Sequence, residues 1–198
     1  MIVRVETEKD YQCVEEVTRN AFSYPERIER GGIDSPYEHW MVNELRQRDG
    51  VKELSLVAEI ENQIVGHIIC SKASIKTADN QMIDVLNLGP LSVIPEFQKK
   101  GIGGALIRST IEKAKHLQFG AILFFGHPDY YPRFGFKEAE SFEVKDSNGN
   151  NYPAFMAMEL FDGYLEAGKG GRYYESEVFN DELNKELVKA FDIKFKIR

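Results

Sequence analysis

A strand, a glycine-rich turn and a helix follow one another directly in residues 93–106, which read VIPEFQKKGIGGAL. The first turn of a helix has unpaired backbone N–H groups and a partial positive charge, so it attracts anions. Gly101, Gly103 and Gly104 have no Cβ, which lets the backbone approach an oxygen-rich ligand closely. Lys99 and Lys100 add charge beside it, or merely face water. Because three glycines lower helix propensity, they favour a phosphate-binding turn over a purely structural one.

Two common phosphate-binding motifs do not fit this turn. The P-loop pattern requires a Lys-Ser or Lys-Thr pair after the glycines, and none is present. The dinucleotide pattern GxGxxG requires a third glycine where this chain has Leu106. The turn therefore predicts a different class of pyrophosphate ligand, held by several backbone amides that each contribute about 1.5–3 kcal/mol.

Hydrophobic periodicity predicts an α/β chain with one mixed sheet. The predicted strands are residues 2–5, 54–60, 64–70, 83–93, 121–125 and 154–161. The predicted helices are residues 7–22, 36–50 and 101–117, a short one in the aromatic segment 127–136, and a final one around 183–191. A helix joins strands 83–93 and 121–125, so these two strands should be parallel neighbours with a right-handed crossover. Gly89-Pro90 should interrupt the first of them, and residues 23–35 read as a long loop.

Composition excludes several function classes. The net charge of −7 argues against nucleic-acid binding, which needs a basic surface. Cys13 and Cys70 stand far apart, without a CxxC motif or clustered histidines, so we expect neither a disulfide nor a metal site. No apolar run is long enough to span a bilayer, and the N-terminus lacks a secretory h-region. These features predict a cytoplasmic protein with reduced thiols and no membrane partner.

The turn also carries a family resemblance. Gln98-x-x-Gly101-x-Gly103, after a strand ending in Val93-x-Pro95, resembles the acetyl-coenzyme A signature of the GCN5-related N-acetyltransferases (GNAT family). The element order over residues 1–161 is similar as well. Two further segments carry the likeness: Tyr131-x-x-x-Gly135-Phe136 resembles the second conserved family segment, and Glu38-x-x-Met41-Val42-x-x-Leu45-Arg46 resembles the YhbS-type branch.

The resemblance implies the GNAT fold: a mixed, mostly antiparallel sheet, flanked by helices, whose parallel fourth and fifth strands splay apart. It implies a domain over residues 1–162 and a C-terminal extension, loop plus helix, over residues 163–198. It further implies an acyltransferase that moves an acetyl group from acetyl-CoA, its co-substrate, to a primary amine of a small molecule or peptide by direct attack. The positions implied to bind the cofactor are Leu91, Ser92, Val93, Gln98, Lys99, Lys100, Gly101, Ile102, Gly103, Gly104 and Ala105.

Catalysis needs a proton acceptor and a proton donor. An amine with a pKa of about 10.4 is only about one part in a thousand neutral at pH 7.4, so a base must act on it. Tyr131 matches the family position that protonates the departing thiolate; alternatively it is a core aromatic. His127 is a candidate base, and Glu38 and Asn87 are candidate acceptor contacts, although each also has a structural interpretation. Ordered water is the remaining route for the proton.

The sequence leaves some alternatives open. A non-catalytic acyl-CoA-binding sensor or assembly module would preserve the same turn. An acidic protein favours a cationic acceptor such as a polyamine, an aminoglycoside or a lysine side chain. The extension could cover the sheet, form a homodimer or close the acceptor site, and the acidic run from Glu175 to Asn184 is expected to be solvated.

Overall fold

A computed structural model describes residues 1–24 and 36–196, so the predicted loop at 23–35 lies, from residue 25 on, outside the described residues. The chain forms two compact units. The first contains residues 1–69, 90–106 and 177–198, and the second contains residues 70–89 and 107–176. Strands β3 (Gln63–Lys76) and β4 (Met82–Val93) and helix α3 (Ile102–His116) each contribute residues to both units.

The first unit pairs short strands with three helices. Besides its parts of β3, β4 and α3, it contains β1 (Ile2–Val5), β2 (Leu56–Ile60), α1 (Tyr11–Phe22), α2 (Glu38–Gln47) and α4 (Asp181–Lys196). Strand β1 pairs antiparallel with β2, and β2 pairs antiparallel with β3. The reversal between β2 and β3 uses left-handed backbone at Glu61 and Asn62, as the sequence predicts for a tight hairpin.

Capping and polar packing fix the helices of this unit. The predicted start of the first helix is confirmed at Thr7, whose N–H donates to the Asp10 carboxylate at 2.8 Å. A 3-10 turn, Glu8–Asp10, then leads into α1. Tyr37, just before α2, donates its hydroxyl to the carbonyl oxygens of Val178 (3.1 Å) and Asn180 (2.8 Å). These bonds tie the chain before α4 to the start of α2.

The second unit is the larger part of the mixed sheet. It contains β5 (Ala121–Phe125), β6 (Lys137–Glu138), β7 (Phe155–Glu159) and β8 (Arg172–Tyr174). The strands β4, β5, β7 and β6 are neighbours in that order, with β7 antiparallel to both β5 and β6. Strand β8 pairs antiparallel with the end of β3. Its apolar core includes Ile75, Val85, Leu123, Phe155, Ala157, Leu165 and Tyr173.

The parallel pairing of β4 with β5 is confirmed, and it is short. Leu86 pairs with Ile122. Both strands lie wholly in the described part of the chain, and this is the one pair of residues that joins them. Gly89, three residues further along β4, has φ +133°, a conformation that favours glycine. The strands therefore separate after Leu86, and a mixed sheet with parallel β4 and β5 is the arrangement that the family resemblance implies.

Three expectations about the elements were wrong in detail. Strand β3 extends to Lys76, six residues beyond its predicted end, because its second part pairs with β8. The sequence analysis missed β6 and β8, which have only two and three residues. The short helix predicted in the aromatic segment is a 3-10 helix, Tyr131–Phe134, that ends at Gly135 with φ +97°. Among the described residues, no helix combines the length and apolar character that crossing a bilayer requires.

Candidate functional site

The turn between β4 and α3 is concave because two of its residues have left-handed backbone. After a 3-10 turn, Pro95–Phe97, φ is +60° at Lys99 and +84° at Gly101. Left-handed residues next to residues of negative φ direct successive backbone N–H groups toward one point, which forms an anion-binding concavity. Gly101 is exposed and nothing lies within 4 Å of a Cβ built on it, so a ligand has open access there.

Helix α3 supplies further donors at this turn. The N–H of Ala105 donates to the carbonyl oxygen of Gly101 at 3.0 Å, which is the first hydrogen bond of the helix. The N–H groups from Gly101 to Gly104 precede that bond, so they have no acceptor within the helix. Ala105 therefore differs from its predicted role, since its N–H bonds within the helix. The helix-start amides that remain as donors for a ligand are those of Gly101, Ile102, Gly103 and Gly104. Lys99 and Lys100 of the turn are further candidates.

At two of the positions predicted to bind the cofactor, Ser92 and Gln98, the side chain has a hydrogen-bond partner within the protein. The Gln98 side chain donates to the carbonyl oxygen of Val93 at 3.0 Å and so closes the turn on itself. The Ser92 hydroxyl is buried and lies 3.1 Å from the Thr18 hydroxyl of α1. The Ser92 hydroxyl is thus engaged inside the fold, whereas the Gln98 side chain is exposed beside the turn. Leu91 and Val93 flank Ser92 and are half-buried.

The lysines of the turn are exposed. Lys99 and Lys100 both face solvent, and the Lys100 ammonium lies 4.9 Å from the centre of the Phe97 ring. The cation–π contact holds one positive charge near the turn. An exposed ammonium attracts phosphate oxygens only through screened charge, so the backbone donors carry the geometric selectivity.

Gly66 supports the start of α3 and was missed by the sequence analysis. A Cβ on Gly66 would lie 3.0 Å from the carbonyl oxygen of Ser92, 3.2 Å from Leu106 Cδ1 and 3.3 Å from Ile102 Cγ2. The helix start therefore packs directly on the backbone of β3. A lone glycine within an apolar run signals close backbone approach, but the sequence does not show what approaches.

Tyr131 lies in an aromatic cluster of the second unit. Its ring packs edge-on against Phe124 (4.5 Å between centres) and Tyr130 (5.2 Å), and Phe136 is 5.9 Å away. Gly126 makes room for it, because a Cβ there would lie 2.5 Å from both Tyr131 and Phe124. Burial raises the pKa of the Tyr131 phenol above its ordinary value of 10, so the hydroxyl keeps its proton. The cluster therefore holds the Tyr131 ring in place.

His127 follows β5 and is largely in solvent. Its side chain is 72% exposed, and its Nδ1 accepts the N–H of Asp129 at 3.3 Å. This bond forms part of the turn that leads to Tyr131. The turn occupies Nδ1 and most of the ring faces solvent, so His127 is a weaker base candidate in the structure than in the sequence.

Glu38 and His39, at the start of α2, have structural partners in the first unit. The Glu38 carboxylate accepts the Tyr37 N–H at 3.0 Å and so caps the helix, while its side chain is partly exposed. His39 is fully buried; its Nε2 lies 3.1 Å from Asp192 Oδ1 without hydrogen-bond alignment. Burial lowers the pKa of His39 to about 4, an effect that Asp192 opposes. A solvated or capping role fits Glu38, and His39 is a core residue.

Asn87 has an unexpected partner. Its side-chain N–H group donates to Glu175 Oε2 at 2.6 Å. Burial raises the pKa of Glu175 to about 7, and hydrogen bonds with Asn87 and Tyr173 oppose that shift. The expectation that the run from Glu175 to Asn184 is solvated was therefore wrong for Glu175, and also for Val178 and Asn184, which are buried. The sequence contained no local signal for this contact, since 88 residues separate the two partners.

The described residues contain no group of three or more His, Cys, Asp or Glu side chains that could hold a metal ion. Both thiols are shielded. Cys70 is fully buried and Cys13 is partly buried, and burial raises the pKa of each above its ordinary value. Protonated thiols are poor nucleophiles.

A comparison with protein families matches part of this chain. Residues 52–138 match the model of the acetyltransferase (GNAT) domain. That range includes the β4–α3 turn, Asn87 and Tyr131. This part of the chain is therefore similar to a GNAT acetyltransferase domain.

Two relatives of this chain are named as N-acetyltransferases. The chain is homologous to the uncharacterized N-acetyltransferase YhbS of Escherichia coli K12, with 26% identity over 171 residues, or 86% of this chain and 93% of that protein. The uncharacterized N-acetyltransferase YjhQ of the same organism is 42% identical over 85 residues, which are 42% of this chain and 46% of YjhQ. The chain thus spans less than half the length of YjhQ.

Solved structures agree in fold. The crystal structure of E. coli YhbS in complex with CoA matches with a TM-score of 0.76 and 22% identity, covering 90% of this chain and 91% of that one. A GNAT family acetyltransferase from Brucella melitensis in complex with acetyl-CoA matches with a TM-score of 0.68 and 27% identity, covering 90% and 97%.

Proposed function

We propose that the protein is an N-acetyltransferase that transfers the acetyl group of acetyl-CoA directly to a primary amine. The observation that carries this proposal is the β4–α3 turn, with left-handed backbone at Lys99 and Gly101 and helix-start amides from Gly101 to Gly104. The bound CoA and acetyl-CoA of the two structural relatives support the same ligand for this turn.

The donors at the turn suit a pyrophosphate. Four backbone N–H groups without helical acceptors match the several oxygens that two linked phosphates present. Hydrogen bonds to charged oxygens contribute about 1.5–3 kcal/mol each, so a few of them suffice for micromolar binding. Lys99 and Lys100 add attraction that weakens with salt. The backbone of Leu91 and Val93 is proposed to pair with the pantetheine arm, although the Val93 carbonyl already accepts from Gln98.

The opening of the sheet after Leu86 and Ile122 suits the reacting end of the cofactor. Backbone N–H groups near Leu91 to Val93 are the proposed donors to the acetyl oxygen. The amine nitrogen would form a bond to the carbonyl carbon, and the carbon–sulfur bond would then break. The shielded thiols of Cys13 and Cys70 favour this direct route over an acyl-enzyme.

Tyr131 is the proposed donor to the departing thiolate. Its phenol stays protonated because burial raises its pKa, and a protonated hydroxyl can donate to sulfur at neutral pH. The aromatic cluster around it limits the directions that the hydroxyl can take.

The test is a thiol-release assay. Purified protein is incubated with acetyl-CoA and a panel of primary amines comprising a polyamine, an aminoglycoside and a lysine peptide, and free thiol is measured over time. We expect release that depends on at least one amine, with one acetylated amine formed per thiol. Tight CoA binding without release on any amine would instead indicate a non-catalytic acyl-CoA-binding module.

A further inference from the structure

The region after β8 is fixed in place by pairing and by a buried ring. Strand β8 pairs with β3 in the register Ile75 to Tyr173 and Ser74 to Tyr174. Tyr173 is buried against Phe155, with 5.3 Å between ring centres, and its hydroxyl donates to the carbonyl oxygen of Leu123 at 3.0 Å. Glu175 is the next residue after β8, so the pairing of β8 with β3 also holds the backbone of Glu175 in place.

The Glu175 carboxylate lies at the place where β4 and β5 separate. Its Oε2 accepts from the Asn87 side chain at 2.6 Å, and Asn87 is the residue after Leu86, the one β4 residue paired with β5. Because side chains alternate along a strand, Asn87 shares a face with Val85. Val85, Leu123 and Tyr173 belong to one core cluster, which lies on this face of the sheet. Because Glu175 is hydrogen-bonded to Asn87, its carboxylate lies on the same face.

Tyr131 belongs to the other face of the same strands. Phe124 alternates with Leu123 on β5, so its side chain points to the opposite face, and Tyr131 packs edge-on against Phe124 at 4.5 Å. The second unit thus holds a carboxylate on one face of the β4–β5 opening and a phenol on the other. In acyl transfer from a thioester, one group must take a proton from the amine and another must give one to the thiolate, so separate faces suit the two tasks.

We propose that Glu175 is the general base of the acetyl transfer and that Asn87 is the positioning residue that orients its carboxylate. This inference rests on the proposed function. The proton on the acceptor ammonium moves to the Glu175 carboxylate, and the neutral nitrogen attacks the acetyl carbon. The carbon–sulfur bond breaks and the thiolate takes its proton from Tyr131. The second N–H proton, which the nitrogen loses as the amide forms, returns to the Tyr131 phenolate through water. The acceptor class that this pair recognises is a cationic primary amine, because a partly buried carboxylate attracts an ammonium group.

The ionisation of Glu175 fits this task. Burial raises its pKa to about 7, close to the working pH at which a general base is most effective. The groups that act on this ionisation are Asn87 from β4 and Tyr173 from β8, and Cys70 from β3 acts in turn on Tyr173. Asn87 stabilises the carboxylate, so its removal should raise the pKa of Glu175 further.

The experiment compares Glu175→Gln with the matched control Glu177→Gln, an exposed position in the same segment. We expect Glu175→Gln to lower kcat by about 10²–10⁴-fold with CoA affinity unchanged, and Glu177→Gln to behave as wild type. In wild type, kcat/KM should rise with pH through an inflection that is absent in Glu175→Gln. Asn87→Ala should move that inflection to higher pH.

A second readout separates a base from a structural residue. At pH 8, the loss in Glu175→Gln should be smaller for a primary amine of pKa near 8 than for one near 10, because much of the weaker amine is already neutral. Equal losses for both amines, or activity within about twofold of wild type, would overturn the role of Glu175. Those results leave the acetyltransferase proposal standing, whereas absence of thiol release by wild-type protein would overturn both.

Discussion

Gly66 should control both stability and cofactor affinity, because the start of α3 packs on its backbone. Replacing it with alanine adds a Cβ that would lie 3.0 Å from the Ser92 carbonyl oxygen and within 3.3 Å of Ile102 Cγ2. Ordinary contacts for a Cβ begin near 3.4 Å, so its neighbours must move by a few tenths of an ångström. The carbonyl oxygen belongs to the backbone, so the strain spreads to β4 or to the helix start.

The cost follows from core overpacking, which destabilises proteins by about 1–3 kcal/mol. For a chain of this size, each kcal/mol lowers Tm by about 2–4 °C. A displaced helix start also misplaces the amides of Ile102 and Gly103. Loss of one well-aligned bond to a charged oxygen, about 1.5 kcal/mol, weakens CoA binding about tenfold.

Thermal unfolding and calorimetric CoA titration measure the two effects. Gln63→Ala, an exposed change on the same strand, is the control and should shift stability by less than about 0.5 kcal/mol. A Gly66→Ala protein with wild-type Tm and wild-type CoA affinity would refute the tight packing of α3 on β3.

Three further predictions concern catalysis and the polar core. Tyr131→Phe should lower kcat while the Kd for CoA stays within about twofold of wild type; an equal loss of both in kinetics and calorimetry would indicate a packing role. His39 has its folded-state pKa lowered to about 4, below the unfolded value of 6.5, so it contributes stability that is complete above pH 6.5 and is lost as pH falls toward 4. The loss in free energy of unfolding is about 3 kcal/mol. It should appear as a difference between wild type and His39→Gln when both are unfolded by denaturant at pH 7 and at pH 4.5, a comparison that cancels the opposite contribution of Glu175. Parallel curves of stability against pH for the two proteins would contradict the prediction. Asp192→Asn should destabilise by about 3 kcal/mol in the same assay, because the buried Asp192 carboxylate accepts from Arg19 Nε at 2.7 Å, whereas the exposed control Glu182→Gln should have little effect.

Local patterns in the sequence were enough to predict the strands and helices that dominate the fold. The helix predicted between β4 and β5 implied that these two strands are parallel. The pairing of Leu86 with Ile122 confirms this prediction. The glycines at 101, 103 and 104 predicted the turn, because an open backbone and a helix start are local properties.

The sequence could not predict contacts that depend on distant pairing. Glu175 reads as part of a solvated acidic run, and only the pairing of β8 with β3 brings it to Asn87. His39 follows the partly exposed Glu38 by one residue, yet a rotation of about 100° along the helix turns its ring into the core. Nothing in the sequence near His39 specifies Asp192 as its neighbour, since that residue is on α4.

The most direct test of the account is a calorimetric titration of CoA into wild-type protein and into Gly103→Asp. A carboxylate on Gly103 would repel the diphosphate from the helix start, whereas Gln12→Asp, which adds a carboxylate at an exposed position of α1, serves as the control. The account predicts saturable binding of one CoA per chain to wild type and to Gln12→Asp, and no measurable binding to Gly103→Asp. The absence of binding heat with wild-type protein, or unchanged affinity in Gly103→Asp, would contradict it.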